Sequence, residues 1–309
     1  MKKAKKLQNF RKLKKLRKRR WQRVILKKKM RYAQLVMGPA GSGKSTYCSS
    51  FVKHAEASRK KIHVINLDPA AEHFDYEPTV DIRELIGLDD AMDDEELKFG
   101  PNGGLIFCME TLLENMDWLE EQVGGQDEAA SDDYYLIDCP GQIELYTHMK
   151  IMRKFVDLLQ TWNFRLCGIF LMDAHFMVDG ATFLSGAMAA LSVMVNLEIP
   201  HVNILSKIDL LSTPAKKLLD NYLEPDVRDL TSSSNCHAFN AKYQDLTEAL
   251  GKVLDDYSLV KYFPLDITNE ENIADLTLMI DNILQVSEDA DVKVVDQGDE
   301  DPEEPYTDD

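Results

Sequence analysis

Residues Gly38, Pro39, Ala40, Gly41, Ser42, Gly43, Lys44, Ser45 and Thr46 constrain the fold more than any other stretch of this chain. They fit the pattern G-x-x-x-x-G-K-[ST] and fall between an apolar run at 32–37 and a helical pattern at 44–56. A strand before and a helix after separate a phosphate-binding loop from a chance Gly-rich turn. Glycine takes backbone conformations closed to other residues, so successive N–H groups can turn inward around a phosphate. The N-terminus of the following helix adds the positive end of its dipole. Lys44 is then expected to reach the β and γ phosphates of a nucleotide, and Ser45 to place its hydroxyl on Mg2+.

The rest of the chain repeats this alternation. Short apolar runs at 62–67, 134–137, 166–172, 201–205 and 260–263 predict further strands. Helical patterns at 105–122, 143–160, 178–197 and 272–286 separate them. Alternation of this kind implies βαβ units with right-handed crossovers. The expected class is α/β: a P-loop nucleoside triphosphate hydrolase with a mainly parallel sheet and helices on both faces. Its ligand should lie at the carboxyl ends of the strands. Residues 124–133 are acidic and open on two glycines, and read as a surface loop.

Charge divides the chain into three parts. Residues 1–29 hold 16 of the 36 Lys and Arg and no acid, which leaves 20 bases against 53 acids in the remainder. So dense a run of like charge is expected to be disordered when free. It reads as a nuclear-import or RNA-contacting arm, or as a dispensable extension upstream of an alternative start at Met30. Residues 287–309 carry eleven acids and one base, and read as a disordered acidic tail. Residues 30–286 are left as the globular domain. Its acidic balance excludes general nucleic-acid binding by the core, because phosphate affinity needs a basic footprint. Five cysteines with no C-x-x-C pair point to reduced thiols, in the cytosol or nucleus, rather than a disulfide frame or structural zinc. No apolar run is long enough to span a bilayer, and no apolar segment follows the basic stretch as a secretory signal would require. His63 and His148 lack acids at metal-ligand spacing and read as ordinary residues.

Two further motifs sit at predicted strand ends. Asp138, followed by Cys-Pro-Gly141-Gln142-Ile-Glu144, has the D-x-x-G arrangement of a nucleotide-sensing loop. Asp138 would bind Mg2+ through water, and the Gly141 N–H would sense the γ-phosphate. Gln142 and Glu144 follow closely enough to orient a water. The bland alternative is a structural turn. Ser206-Lys207-Ile-Asp209 stands where many GTPases have N-K-x-D. A carboxylate there takes the N1–H and exocyclic amine of guanine, a donor pair that adenine lacks, and the Lys stem packs on the ring. Serine in place of asparagine puts one base or loop contact in doubt, and a surface turn is the alternative. Gly100-Pro101-Asn102-Gly103-Gly104 by physics alone reads as a turn, with its glycines supplying unusual backbone angles. The stretch with Met172, Met177, Met188 and Met194 among Phe176, Phe183, Leu184 and Leu191 reads as helix core or a subunit interface. The alternative is a promiscuous apolar groove.

In this order, the phosphate loop, Asn66-Leu-Asp68-Pro-Ala, Gly100-Pro-Asn102, Asp138 to Glu144 and Ser206 to Asp209 resemble the GPN-loop GTPases over roughly residues 31–286. The resemblance implies GTP/GDP and Mg2+ as cofactors. It also implies a homodimer, or a heterodimer with another GPN-loop GTPase, in which Asn102 acts on the partner's phosphate site. Asp68 would sit in the first switch and help position water or metal. Pro264, in Phe-Pro-Leu at the last strand, would belong to the base-recognition loop, with Asn240-Ala241-Lys242 as the alternative. Eukaryotic members are associated with assembly and nuclear import of RNA polymerase II, which implies contact with its subunits. Two rival readings stay open: a dimeric P-loop ATPase, and an assembly chaperone that barely turns its nucleotide over.

Overall fold

The computed structural model describes residues 30–93, 99–124, 133–175, 180–216, 223, 244–257 and 260–286. The basic arm, the acidic tail, most of the 124–133 loop, Phe176, Met177, Cys236 and Asn240-Ala241-Lys242 lie outside them.

One sheet of seven strands organises the chain, in the order β3-β2-β4-β1-β5-β6-β7. Its strands are β1 (Arg31–Met37), β2 (Ile62–Asn66), β3 (Val80–Asp81), β4 (Asp133–Asp138), β5 (Phe164–Asp173), β6 (His201–Ser206) and β7 (Tyr262–Pro264). Every pairing is parallel. All carboxyl ends therefore meet at one edge, as expected for the α/β class. β3 was not legible beforehand, since two residues are too few to show an alternating pattern.

The described helices are α1 (Lys44–Ala57), α2 (Leu88–Met92), α3 (Pro101–Glu114), α4 (Met116–Gly124), α5 (Glu144–Thr147), α6 (Ile151–Thr161), α7 (Gly180–Leu197), α8 (Gln244–Tyr257) and α9 (Glu270–Leu284). A strand alternates its side chains between two faces, and β1 buries both. Ala33, Leu35 and Met37 face the cluster built with α3, α4 and α6. Tyr32 and Val36 face Tyr47 and Phe51 of α1 and Leu276 and Ile280 of α9. A third cluster joins Met172, Phe183, Ala187, Leu205 and Tyr262. Met172, Phe183, Leu184 and Leu191 are buried, so these members of the Met-rich stretch are core. Among the described residues no helix is long and apolar enough to cross a membrane. Cys48, Cys108, Cys139 and Cys167 are free, buried thiols.

Three sequence expectations need correction. The helix expected at 105–122 is two helices, because the chain leaves helical geometry at Asn115 (φ −118°, ψ 32°), whose side-chain amide donates to the Thr111 carbonyl at 2.7 Å. The helix expected at 143–160 is also two, divided where the Glu144 carbonyl accepts from the N–H groups of both His148 and Met149. Third, Gly100 to Gly104 is not a turn but the start of α3. Gly100 is the N-cap at φ −74°, and Pro101 takes the first helical position, where its missing N–H costs nothing. Neither Gly100 nor Gly103 uses a positive φ. Small size is what matters here. A Cβ on Gly103 would lie 3.1 Å from the Phe99 ring, and one on Gly104 would lie 3.0 Å from Leu88.

The inside of the sheet also holds a polar chain. The Tyr47 hydroxyl donates to Gln34 Oε1 at 2.7 Å, and Gln34 Nε2 donates to the Tyr134 hydroxyl at 2.7 Å, with Gln34 wholly buried in the central strand. Replacing Gln34 by Leu keeps the volume but strands the Tyr47 phenol and takes one of two partners from Tyr134, which keeps Asp281. Each unsatisfied buried group costs about 1–3 kcal/mol. Gln34→Leu should therefore lower Tm by about 5–10 °C in thermal denaturation, and a Tm unchanged within a degree would contradict this account.

Candidate active site

Residues from six strand ends converge on the carboxyl edge. The loop after β1 needs glycine at specific places. Gly38, Gly41 and Gly43 have φ of 145°, 77° and 89°. A Cβ on Gly38 would fall 2.4 Å from the Leu171 carbonyl oxygen, whereas nothing lies within 4 Å of one on Gly41. The first glycine lets the loop cross β5; the second leaves an open cradle, as a phosphate loop requires. Lys44 is buried, and its ammonium donates to the carbonyls of Gly38 and Pro39 at 3.1 Å each. Burial lowers its pKa, and the carboxylates of Asp138 and Asp68 oppose that shift.

Asp138 ends β4, where the buried strand carries it to 2% exposure. Its Oδ2 accepts from the Ser45 hydroxyl at 2.9 Å and from the Tyr76 hydroxyl at 2.7 Å. Burial raises its pKa, against the pull of the Tyr76 and Ser45 hydrogen bonds and of Lys44. The expected metal pair is thus brought together across the sheet edge. Asp68 lies two residues past the end of β2. Its backbone N–H donates to Asn66 Oδ1 at 3.0 Å, and its own Oδ1 caps the Ala70 N–H at 3.0 Å. Burial raises its pKa too, opposed by the Ala70 hydrogen bond and by Lys44. Hydroxyl and carboxylate oxygens, with the rest of the shell left to water and phosphate, are the donors that Mg2+ takes. Among the described residues no group of three or more His, Cys, Asp or Glu could hold a metal unaided.

Gly141 follows Asp138 closely enough that a Cβ would come 3.0 Å from Ala40 Cα, so this loop lies against the phosphate loop. Gln142 Nε2 donates to Asn102 Oδ1 at 2.6 Å within one chain. Glu144 is exposed at the first position of α5.

Past β6, the Ser206 hydroxyl donates to the Ser42 carbonyl at 2.7 Å, with the Met172 carbonyl at 3.2 Å. Serine here keeps a contact to the phosphate loop. Lys207 adopts φ 62° and pairs with Asp173 Oδ2 at 2.9 Å. Its Cε lies 4.0 Å from where a Gly43 Cβ would stand. The next polar group is Asp209, whose buried Oδ1 finds no hydrogen-bond partner among the described residues. A buried carboxylate oxygen left without a donor is costly, so it marks a place where a ligand's N–H groups fit. The buried Ser42 Oγ also has no partner among the described residues, and lies 2.8 Å from where a Gly38 Cβ would stand. Pro264 ends β7 opposite Leu205, and the next N–H, from Leu265, donates to the Leu205 carbonyl at 2.9 Å.

Sequence reasoning missed Tyr76 and Asp173. Tyr76 belongs to no motif. Asp173 is the last residue of a buried strand, the same signal that marked Asp138, and could have been found by it.

The family described as "Conserved hypothetical ATP binding protein" matches residues 36–286. A protein of Danio rerio named GPN-loop GTPase 3 is 53% identical over 272 residues, 88% of this chain and 94% of its own. The protein of that name from Xenopus tropicalis is 51% identical over 276 residues, 89% and 95% respectively. A solved GTPase of Pyrococcus abyssi, in its apo form, superposes with a TM-score of 0.64 over 81% of this chain and 96% of its own, at 23% identity, and bears on the fold alone. With identity this high across nearly the whole of these relatives, the chain belongs to the GPN-loop GTPase family.

Proposed function

We propose that the chain hydrolyses the β–γ bond of GTP with Mg2+. The orphaned Asp209 Oδ1, at the same sheet edge as the phosphate cradle, carries this reading. In it Lys44 binds the β and γ phosphates and leaves its loop carbonyls to do so. The backbone of residues 38–46 cradles them, Gly141 contacts the γ-phosphate, and Ser206, Lys207 and Pro264 shape the base pocket. Ser45 and Asp138 hold Mg2+, with Asp68 beside them. When bound, the metal neutralises charge that builds on the phosphate oxygens. Gln142, Glu144 and Asp68 position the attacking water. Positioning and charge neutralisation suffice, since phosphoryl transfer needs little covalent help.

The matched family's printed description names ATP, whereas the relatives are named for GTP. Asp209 decides between them. In Asp209→Asn one acceptor oxygen becomes a donor amide facing the guanine donors. A site built for hydrogen bonding can discriminate by ~10⁴; with Ser206 in the loop, the GTP-to-ATP affinity ratio should fall about 10²-fold in competition binding. An unmoved ratio would sink the guanine assignment.

Burial of Asp138 sets a second expectation. Its carboxyl holds a proton more tightly in the folded chain than in the unfolded one. The stability it confers is therefore full below the ordinary carboxylate range and is lost as pH rises through the elevated value. Asp138→Asn should raise the Tm of the nucleotide-free protein at neutral pH, with the gap closing in acid, while Mg2+-dependent hydrolysis is lost. A variant less stable than wild type at neutral pH would contradict the argument.

Family membership supports extending the proposal to a dimer in which Asn102 serves the partner's phosphate site, in service of RNA polymerase II assembly and nuclear import. The Gln142–Asn102 contact favours a second reading, in which Asn102 orients Gln142 of its own chain. Mixing Asn102→Ala and Lys44→Ala subunits separates the two. In that heterodimer the nucleotide-competent site belongs to the Asn102→Ala subunit and can receive an intact Asn102 only from its partner. Recovery to about half the wild-type dimer's hydrolysis is expected from one intact site in two. Confirmed heterodimers that stay inactive would leave Asn102 acting within its own chain.

A further inference from the structure

We propose that Tyr76 is a positioning residue for the metal site, fixing the rotation of the Asp138 carboxylate and tying the 68–81 segment to it. The inference rests on the reading of Ser45 and Asp138 as the Mg2+ pair.

The case begins with the two donors on one oxygen. Ser45 and Tyr76 both donate to Asp138 Oδ2, at 2.9 and 2.7 Å. A carboxylate held through one oxygen cannot spin, so Oδ1 would be kept in one orientation for a hydrated cation. Tyr76 makes this bond from a ring that is placed independently of it. The ring belongs to the apolar cluster of α1 and α9 and packs against Phe74, centroids 5.0 Å apart and planes tilted by 34°. Phe74 in turn lies under the Arg83 guanidinium, 4.7 Å from its centre. Arg83 also donates to the Ala71 carbonyl at 2.8 Å and grips Asp81 with Nε and Nη2. On the other side, the Ser49 hydroxyl of α1 donates to the Asp75 carbonyl at 3.1 Å, and the Thr79 N–H donates to the Val64 carbonyl at 2.7 Å. The segment is thus pinned at residues 71, 75 and 79, and presents its one phenol at the metal carboxylate. A donor pre-set in this way spares the cation the entropy of ordering its ligand, which is how supporting hydrogen bonds raise metal affinity. Both donors could stay on Oδ2, with Oδ1 left to accept from a cation's water. Tyr76 therefore assists the cation and does not compete with it.

The test is release of mant-GDP from the full chain, measured in Mg2+ and in EDTA, for wild type and Tyr76→Phe. The variant keeps the ring and its packing against Phe74 and loses only the hydroxyl. In EDTA the two proteins should release nucleotide at the same rate, with Tyr76→Phe melting a few degrees lower because a buried acceptor loses one donor. In Mg2+ the slowing of release should be about 10-fold smaller for Tyr76→Phe, the scale of one hydrogen bond to a charged acceptor. If Mg2+ slows both proteins equally, or slows the variant more, the positioning role is overturned while the metal site stands. An equal acceleration of the variant in both conditions would show Tyr76 to be structural support only and would also overturn it. If Mg2+ fails to slow release even from wild type, the metal-site reading itself falls, and the Tyr76 role with it.

Discussion

A carboxylate buried at the end of β4 is the constraint on which the site depends. Asp138 is 2% exposed, and an ionised group so placed must be answered by donors and positive charge. The neighbouring elements answer it. α1 supplies Ser45 and Lys44, and the segment before β3 supplies Tyr76. The compensation is incomplete, since burial still raises the Asp138 pKa and lowers that of Lys44. Opposed charges left under-solvated in this way suit a site that receives both a cation and an anion. Burial, reinforced by Asp138, also pushes the Cys48 and Cys139 thiols well up, so these neighbours stay protonated and inert.

The parallel sheet explains how so few contacts hold the site. With every strand running the same way, six loops leave one edge as neighbours and need only short ties between them. Ser206 binds the loop after β6 to the phosphate loop through the Ser42 carbonyl. Lys207 binds that same loop to the end of β5 through Asp173. Gly141 lies on Ala40 because neither has a side chain large enough to separate them. Each tie joins a backbone turn to a strand end that the core has already fixed, so little conformational entropy remains to be lost when a ligand binds.

What was legible in the sequence follows from range. The glycines, Lys44 and Ser45 form a local pattern, and the strands before Asp138 and Ser206 are short runs bounded by turn residues. Their convergence followed from parallel topology. Tyr76 was illegible because its partner is 62 residues away and its own neighbourhood has no periodicity. The breaks at Asn115 and at His148 were hidden for another reason. Apolar residues continue at helical spacing across both, and the breaks show only in the backbone angles and in hydrogen bonds to the preceding carbonyls. Ser206 looked like a departure from the usual asparagine. Its hydroxyl still provides a donor to the neighbouring loop, which sequence comparison by residue type could not show.

Gly100 to Gly104 inverts the usual inference from glycine and proline. In a turn these residues would confer freedom, and Asn102 would sit on a mobile tip. As the first turn of a 14-residue helix they confer the opposite. Pro101 fixes the φ of the first helical position, the N–H of Gly104 closes onto the Gly100 carbonyl at 2.8 Å, and the missing side chains let α3 settle against α2 and Phe99. Asn102 is then exposed yet carried on a rigid element, with its Oδ1 already engaged by Gln142. A neutral amide held in this way presents donor hydrogens without adding charge to a site where Lys44 already opposes two carboxylates. The cost of ordering this side chain is met in folding, because the helix and Gln142 place it before any nucleotide arrives.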